Sequence, residues 1–116
     1  MNKMLMVVAA LVVLMGCSST PPPDFNNIVV TVAEGRSLKD AVVYAATCRH
    51  WIVNVVSDDT IRCTILQRSN KVEIDVVIHD RSSYSIKCVF SNISTNKYLQ
   101  WVNNLQREIA KAAWSR

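Results

Sequence analysis

Glycine is almost missing from this chain: of 116 residues only Gly16 and Gly35 are glycine. With so few sites that take positive φ freely, the turns of any folded part must rest on Asn and Asp. No Cys-x-x-Cys pair occurs, which removes the usual basis for a dithiol redox site. The basic residues of the folded part are spread along the chain and form no aromatic-interleaved basic patch, which argues against nucleic acid as a partner. No internal repeat is present, and the length allows one small domain with a modest core. The longest apolar run, Met4 to Met15, is well short of the roughly 20 residues needed to span a bilayer.

What that run does fit is a secretory leader. Lys3 supplies the positive n-region, Met4 to Met15 the apolar h-region, and Gly16 the small residue before a cleavage site, so residues 1–16 read as a signal peptide. The run Leu14-Met15-Gly16-Cys17, followed by Ser18-Ser19-Thr20-Pro21, resembles a bacterial lipobox. That resemblance implies that Cys17 receives a diacylglyceryl group, that the leader is cut after Gly16, and that the new amino terminus is acylated. Each buried methylene contributes about 0.8 kcal/mol, so two or more chains anchor a protein stably with no spanning helix. Ser18, where Asp would favour retention in the inner membrane of enteric bacteria, directs the expectation to the periplasmic side of the outer membrane in a Gram-negative host. The membrane, through the lipid on Cys17, is thus the first expected partner.

Residues 17–27 have the composition of a tether, with Pro21-Pro22-Pro23 holding a short polyproline II spacer. Residues 28–116 read as a single domain. Ile28, Val30 and Val32 alternate with Val29 and Thr31 and suggest a short extended segment, an edge strand at most. Ser37 is placed as an N-cap with Asp40 in the first turn, and Leu38, Ala41, Val42, Ala45 and Cys48 share one face of a helix running to about Arg49. Four β-rich runs follow, Trp51 to Val56, Thr60 to Gln67, Lys71 to His79 and Ser83 to Phe90, and their short polar breaks fit antiparallel hairpins. In the third, Val72, Ile74, Val76 and Ile78 alternate with polar residues, so one face of the sheet is buried and the other wet. Ile61, Cys63 and Ile65 repeat the pattern, as do Tyr84, Ile86, Cys88 and Phe90. The last element is a helix entered through Ser94-Thr95-Asn96, with Tyr98, Trp101, Val102, Leu105, Ile109 and Ala112 at helical spacing. The expected fold class is α+β, a two-layer sandwich in which a four-stranded antiparallel meander carries both helices on one face, in the order α-β-β-β-β-α.

The chemistry-bearing residues admit plain readings beside sharper ones. With Cys17 acylated, Cys48, Cys63 and Cys88 remain, an odd number. Cys63 and Cys88 face one side of the meander but lie two strand spacings apart, roughly 9–10 Å, beyond the ~7 Å limit for an unstrained bridge. Small buried core thiols are the first reading, and a disulfide through Cys48 is the alternative. His79 falls on the wet face near Asp75 and Asp80, as an exposed hairpin histidine without an identifiable nucleophile or further ligands. Asp58-Asp59 reads as a turn rather than a cation site, which would want about six oxygens. Trp51, Tyr84, Tyr98 and Trp101 most simply belong to the core, and a ligand groove lined by these four is the competing reading.

Ala41-Val42, Ala45, Arg49, Trp51, Tyr84-Ser85-Ile86, Ser91-Asn92 and Tyr98-x-x-Trp101-Val102-x-Asn104-Leu105 together resemble a family of small, largely uncharacterised bacterial envelope lipoproteins built as lipobox, short tether and α-β-β-β-β-α domain. Two departures stand out. His50 replaces a glycine that would suit a left-handed helix C-cap, and Ile78 and Cys88 stand where that family frequently has tyrosine. The resemblance implies a location and a fold but no activity, catalytic residue, metal or cofactor. The expectation is a lipid-anchored, non-enzymatic envelope domain that binds or supports an envelope protein or a cell-wall partner. The alternatives are an inhibitor or regulator of a cell-wall hydrolase and, further off, a small hydrolase or redox enzyme gathering His79 or Cys48 with partners.

Overall fold

The computed structural model describes residues 22–114. The leader, Gly16, the lipobox Cys17 and the tether up to residue 21 lie outside the described residues. Five strands and two helices follow in the order β1 (Phe25–Val29), α1 (Leu38–Cys48), β2 (Ile52–Val55), β3 (Thr60–Gln67), β4 (Asn70–Asp80), β5 (Ser83–Ser91) and α2 (Thr95–Trp114). The sheet order is β1-β5-β4-β3-β2, antiparallel throughout. The class is α+β as expected, but the sheet has five strands rather than four, because the first extended segment pairs with β5 at the far edge. That strand begins at Phe25, so the last three residues assigned to the tether belong to the sheet. Beyond it the alternation at 28–32 holds, with Val30 and Val32 buried and Val29 and Thr31 exposed. Among the described residues no helix is long and apolar enough to cross a membrane.

The helix starts follow from their caps. The Asp40 amide donates to Ser37 Oγ at 3.3 Å, and the Lys97 amide to Ser94 Oγ at 3.2 Å, each satisfying a donor that the first turn leaves unpaired. Several turns rest on Asp and Asn side chains as expected, but the β3–β4 turn takes its positive φ, 60°, at Arg68, and the α1–β2 junction takes its own at His50. Asp80 Oδ1 accepts from the Ser82 amide, Asp59 Oδ1 from the Ser57 and Thr60 hydroxyls, and Asn92 Oδ1 from the Lys71 amide. Gly35, at φ 82°, occupies the third position of a turn closed by the Arg36 amide on the Ala33 carbonyl, where a side chain would be strained.

The core is one cluster. Leu38, Ala41, Val42, Ala45 and Ala46 of α1 and Tyr98, Val102, Leu105, Ile109 and Ala113 of α2 meet Ile61, Cys63, Ile65, Val72, Ile74, Val76, Tyr84 and Ile86 from one face of the sheet. Fully burying a branched aliphatic side chain contributes roughly 1.5–3 kcal/mol, so this row of alternating residues accounts for much of the drive that fixes register. The opposite face carries Arg62 and Asp75, joined through two N–H···O bonds of 2.7 and 2.9 Å, with Thr64 and Glu73 beside them. Two expected core positions, Phe90 and Cys48, are exposed, and Ile78, Cys88, Trp101 and Ala112 are only half-buried. Phe90 is 47% exposed because a bulge leaves Val89 without a partner on β4, with Ile74 opposite Cys88 and Glu73 opposite Phe90, and so turns the ring to the helix-free face beside Lys71. Cys48 is exposed at the end of α1, where the buried stripe has moved to Ala46.

Candidate functional site

The junction between α1 and β2 shapes the site. Arg49 caps α1, the His50 amide donates to the Thr47 carbonyl at 3.0 Å, and the Trp51 amide donates to the Ala46 carbonyl at 2.9 Å. This pair of bonds is the Schellman pattern, which requires a left-handed residue between cap and strand. His50 fills that place at φ 69°. The chain thus makes a left-handed cap with a side chain at a position that favours glycine. The sharp turn drops Trp51 onto the core, 5% exposed, and presents Arg49 and His50 at the rim.

Facing this rim is α2. A hollow of about 400 Å³ runs between the two and is lined by Cys48, Arg49, His50, Trp51, Ile65, Gln67, Gln100, Trp101 and Asn104. Its floor is apolar, from Trp51 and Ile65, and its sides carry the side-chain amides of Gln67, Gln100 and Asn104. Two of these groups are held in place from outside. Lys97 Nζ stands 5.6 Å from the centroid of the Trp101 ring, and Arg107 donates to Asn104 Oδ1. Of the four aromatic residues proposed as a groove, the structure brings together Trp51 and Trp101 only. Tyr84 and Tyr98 are 1% and 0% exposed and belong to the core, since alternation on β5 and the 98/102/105/109 stripe of α2 both point inward. The groove amides escaped the sequence reading because isolated Gln and Asn on a helix carry no pattern; the cluster exists only once Gln67 of β3 is set beside Gln100 and Asn104 of α2.

The thiols divide by environment. Cys63 is fully buried and desolvation pushes its pKa up to about 12. Cys88 is half-buried, and burial raises it as well, partly offset by the Tyr98 hydroxyl. All three cysteines among the described residues are free. Cys63 and Cys88 both lie opposite Ile74, one on each side of β4, which is the separation by one strand that excludes a bridge. Cys48, the one expected to meet a partner if a disulfide formed, instead lines the hollow and lies against the Tyr44 hydroxyl, whose pKa it raises.

His79 has a nucleophilic neighbour after all. Its Nε2 lies 2.6 Å from Ser85 Oγ, and the Asn27 amide donates to the same oxygen at 3.0 Å. Ser85 is 2% exposed, so its oxygen faces neighbouring strands rather than a cleft. A reacting carbonyl needs room about 3 Å from both nucleophile and oxyanion donors. The arrangement instead ties together two irregular places, the β1 bulge at Asn27, φ 53°, and the β4 bulge between Ile78 and Asp80, across the intervening β5. Asp59, which accepts from Ser57 and Thr60, is held below the usual carboxylate range by those bonds and serves the β2–β3 turn. A second hollow, of about 640 Å³ beside Arg36, Asp40 and Tyr44, opens at the start of α1.

No protein-family model matches the chain, and no curated protein matches it.

Proposed function

We propose that the protein is a lipid-anchored bacterial envelope lipoprotein, held through acylated Cys17 at the periplasmic side of the outer membrane, whose two-layer domain acts by binding. Anchoring rests on the Leu14-Met15-Gly16-Cys17 run after an apolar leader, and the resemblance to small envelope lipoproteins points the same way. Binding rests on one observation, the hollow between Trp51 and Trp101 with the amides of Gln67, Gln100 and Asn104 on its sides. Aromatic surface beside several hydrogen-bonding groups, in a hollow whose lining is mostly polar, suits a hydroxylated ligand better than an apolar one. Side-chain amides that donate and accept, next to an indole, suit the hydroxyl and acetamido groups of a cell-wall glycan. Residues 18–24 set the spacing between lipid and sheet, so the module works close to the membrane.

The test is in-cell photocrosslinking from position 100. A photoreactive residue replacing Gln100 in the full chain is expected to capture wall glycan, and the capture is expected to fall when Asn104→Ala and Trp101→Ala are added. Capture of a protein in its place would assign the hollow to a protein partner. Turnover of a wall or lipid substrate by the purified protein would overturn the binding reading altogether.

A further inference from the structure

The chain that leads from Cys17 enters the sheet at one end. Asp24 Oδ1 accepts from the Cys88 amide at 3.1 Å and Phe25 lies opposite Ile86, which sets the entry beside the last residues of β5 and the first of β4. Asp24 follows Cys17 by seven residues, and at no more than about 3.6 Å per residue the two are within roughly 25 Å of each other. Ile74, opposite Cys88, and Asp80 are six residues apart on β4, which places the far end of the sheet roughly 20 Å further off at ~3.4 Å per residue. A lipid on Cys17 therefore holds the near end at the bilayer, and the far end reaches it only with the connecting chain drawn almost straight.

That near end carries apolar side chains on the helix-free face. Phe90 is 47% exposed, Leu66 57% and Ile52 59%. They share one corner, with Phe90 opposite Glu73, Glu73 opposite Thr64, Thr64 opposite Ile52, and Leu66 opposite Lys71. Plain alternation along β5 would bury Phe90, but the unpaired Val89 turns it out, and re-aiming a side chain is a common use of a bulge. Lys71 Nζ stands 5.6 Å from the centroid of the exposed ring. Charge is divided along the same face. Arg68 in the β3–β4 turn, Lys71 and Lys87 lie towards the entry of the chain, where the acids are already engaged, Glu73 by the Thr64 hydroxyl and Asp24 by the Cys88 amide. Asp58, Asp59 and Asp80 lie at the far end.

From the point of entry and this division of charge we infer that the near end of the helix-free face docks on the bilayer, a phospholipid surface carrying anionic headgroups. Phe90 and Leu66 sit at the boundary of headgroups and acyl chains, and Lys71 and Arg68 meet the phosphates. Long basic side chains suit that place because their stems lie along apolar surface while the charged heads stay in water. The patch is small, but a short tether makes the contact intramolecular, at an effective concentration on the order of millimolar, so a weak patch is enough. Ile65 and Gln67 line the hollow from the helix side, and Leu66 between them faces the other way, so bilayer and hollow use opposite faces of the sheet. Docking presupposes the lipid on Cys17 proposed above, and each has its own signal.

Full-length lipidated protein with Leu66→Cys in a Cys48→Ser background is labelled with an environment-sensitive fluorophore, briefly, so that half-buried Cys88 stays unmodified. It is reconstituted in vesicles of phosphatidylcholine and phosphatidylglycerol that carry a nitroxide at the top of the acyl chain. The probe at Leu66→Cys is expected to be quenched several-fold more than the same probe at Asp58→Cys. Arg68→Glu with Lys71→Glu is expected to remove most of that difference, as is Phe90→Ser. Equal quenching at both positions on a chain that carries labelled palmitate, or quenching unmoved by both the charge reversal and Phe90→Ser, would overturn the docking and leave the anchor standing. A chain that carries no palmitate would overturn both. A Leu66→Cys probe shielded in native membranes but unquenched in vesicles would give the face to a protein partner and overturn the bilayer contact.

Discussion

Replacing His50 by glycine should make this protein more stable although it removes a whole side chain. His50 holds φ 69° because the Schellman bonds from His50 to Thr47 and from Trp51 to Ala46 need a left-handed residue there. A residue with a Cβ gives up roughly 1–2 kcal/mol in that conformation, and glycine gives up none but adds about 0.4–1 kcal/mol of chain entropy to the unfolded state. The difference is a gain of about 0.5–1 kcal/mol, or a rise of roughly 3–6 °C in Tm for a domain of this size. Thermal unfolding of the full chain in detergent, followed by circular dichroism, measures it. His50→Ala is the control, since it deletes the imidazole but keeps the strain, and its Tm should not rise. A glycine variant that melts at or below the parent temperature would refute the reasoning, for it would mean that the imidazole contributes more than the backbone loses.

Three further predictions concern the thiols, the buried Tyr84 and the Ser85 hydroxyl. Thiol titration of the native protein at pH 8 should label Cys48 quickly, Cys88 slowly and Cys63 only on unfolding, and rapid labelling of Cys63 would contradict its burial. Because Cys63 and Tyr84 are each raised to about 12 in the fold, against 9.0 and 10.0 as ordinary values, the unfolded chain loses these protons first. Stability is then fully present below about pH 9 and falls as pH rises towards 12, by about 1.4 kcal/mol per pH unit for each group titrating. Urea midpoints across this range check it, and a flat profile would exclude it. Ser85→Ala should cost about 0.5–1.5 kcal/mol by removing the bonds to the Asn27 amide and His79, with faster hydrogen exchange at Asn27. Unchanged exchange there would show that the Ser85 bond does not hold the β1 bulge.

Strong periodicity made most of the elements legible in the sequence. Val72, Ile74 and Val76 alternate so cleanly that face and register follow at once, and Ser37 and Ser94 mark their helices through a single hydroxyl each. The pairing of β1 with β5 was not legible, because Phe25-Asn26-Asn27 has the polarity of a tether and its bulge depends on Ser85, which lies 58 residues away. Phe90 misled for a related reason: one unpaired residue, Val89, reverses the face of everything after it. Of the groove, Trp51 and Trp101 read first as core residues and only secondly as ligand-lining ones, while Gln67, Gln100 and Asn104 gained meaning only from tertiary placement. The left-handed cap at His50 was not legible, since a histidine carries no mark of positive φ, and its geometry came from the structure.

Lipid attachment at Cys17 is tested most directly by metabolic labelling. Growth with labelled palmitate should place label on the wild-type chain in the membrane fraction, and Cys17→Ala should abolish the label and leave a precursor that retains residues 1–16. Continued labelling of Cys17→Ala, or a wild-type chain that carries none, would contradict it.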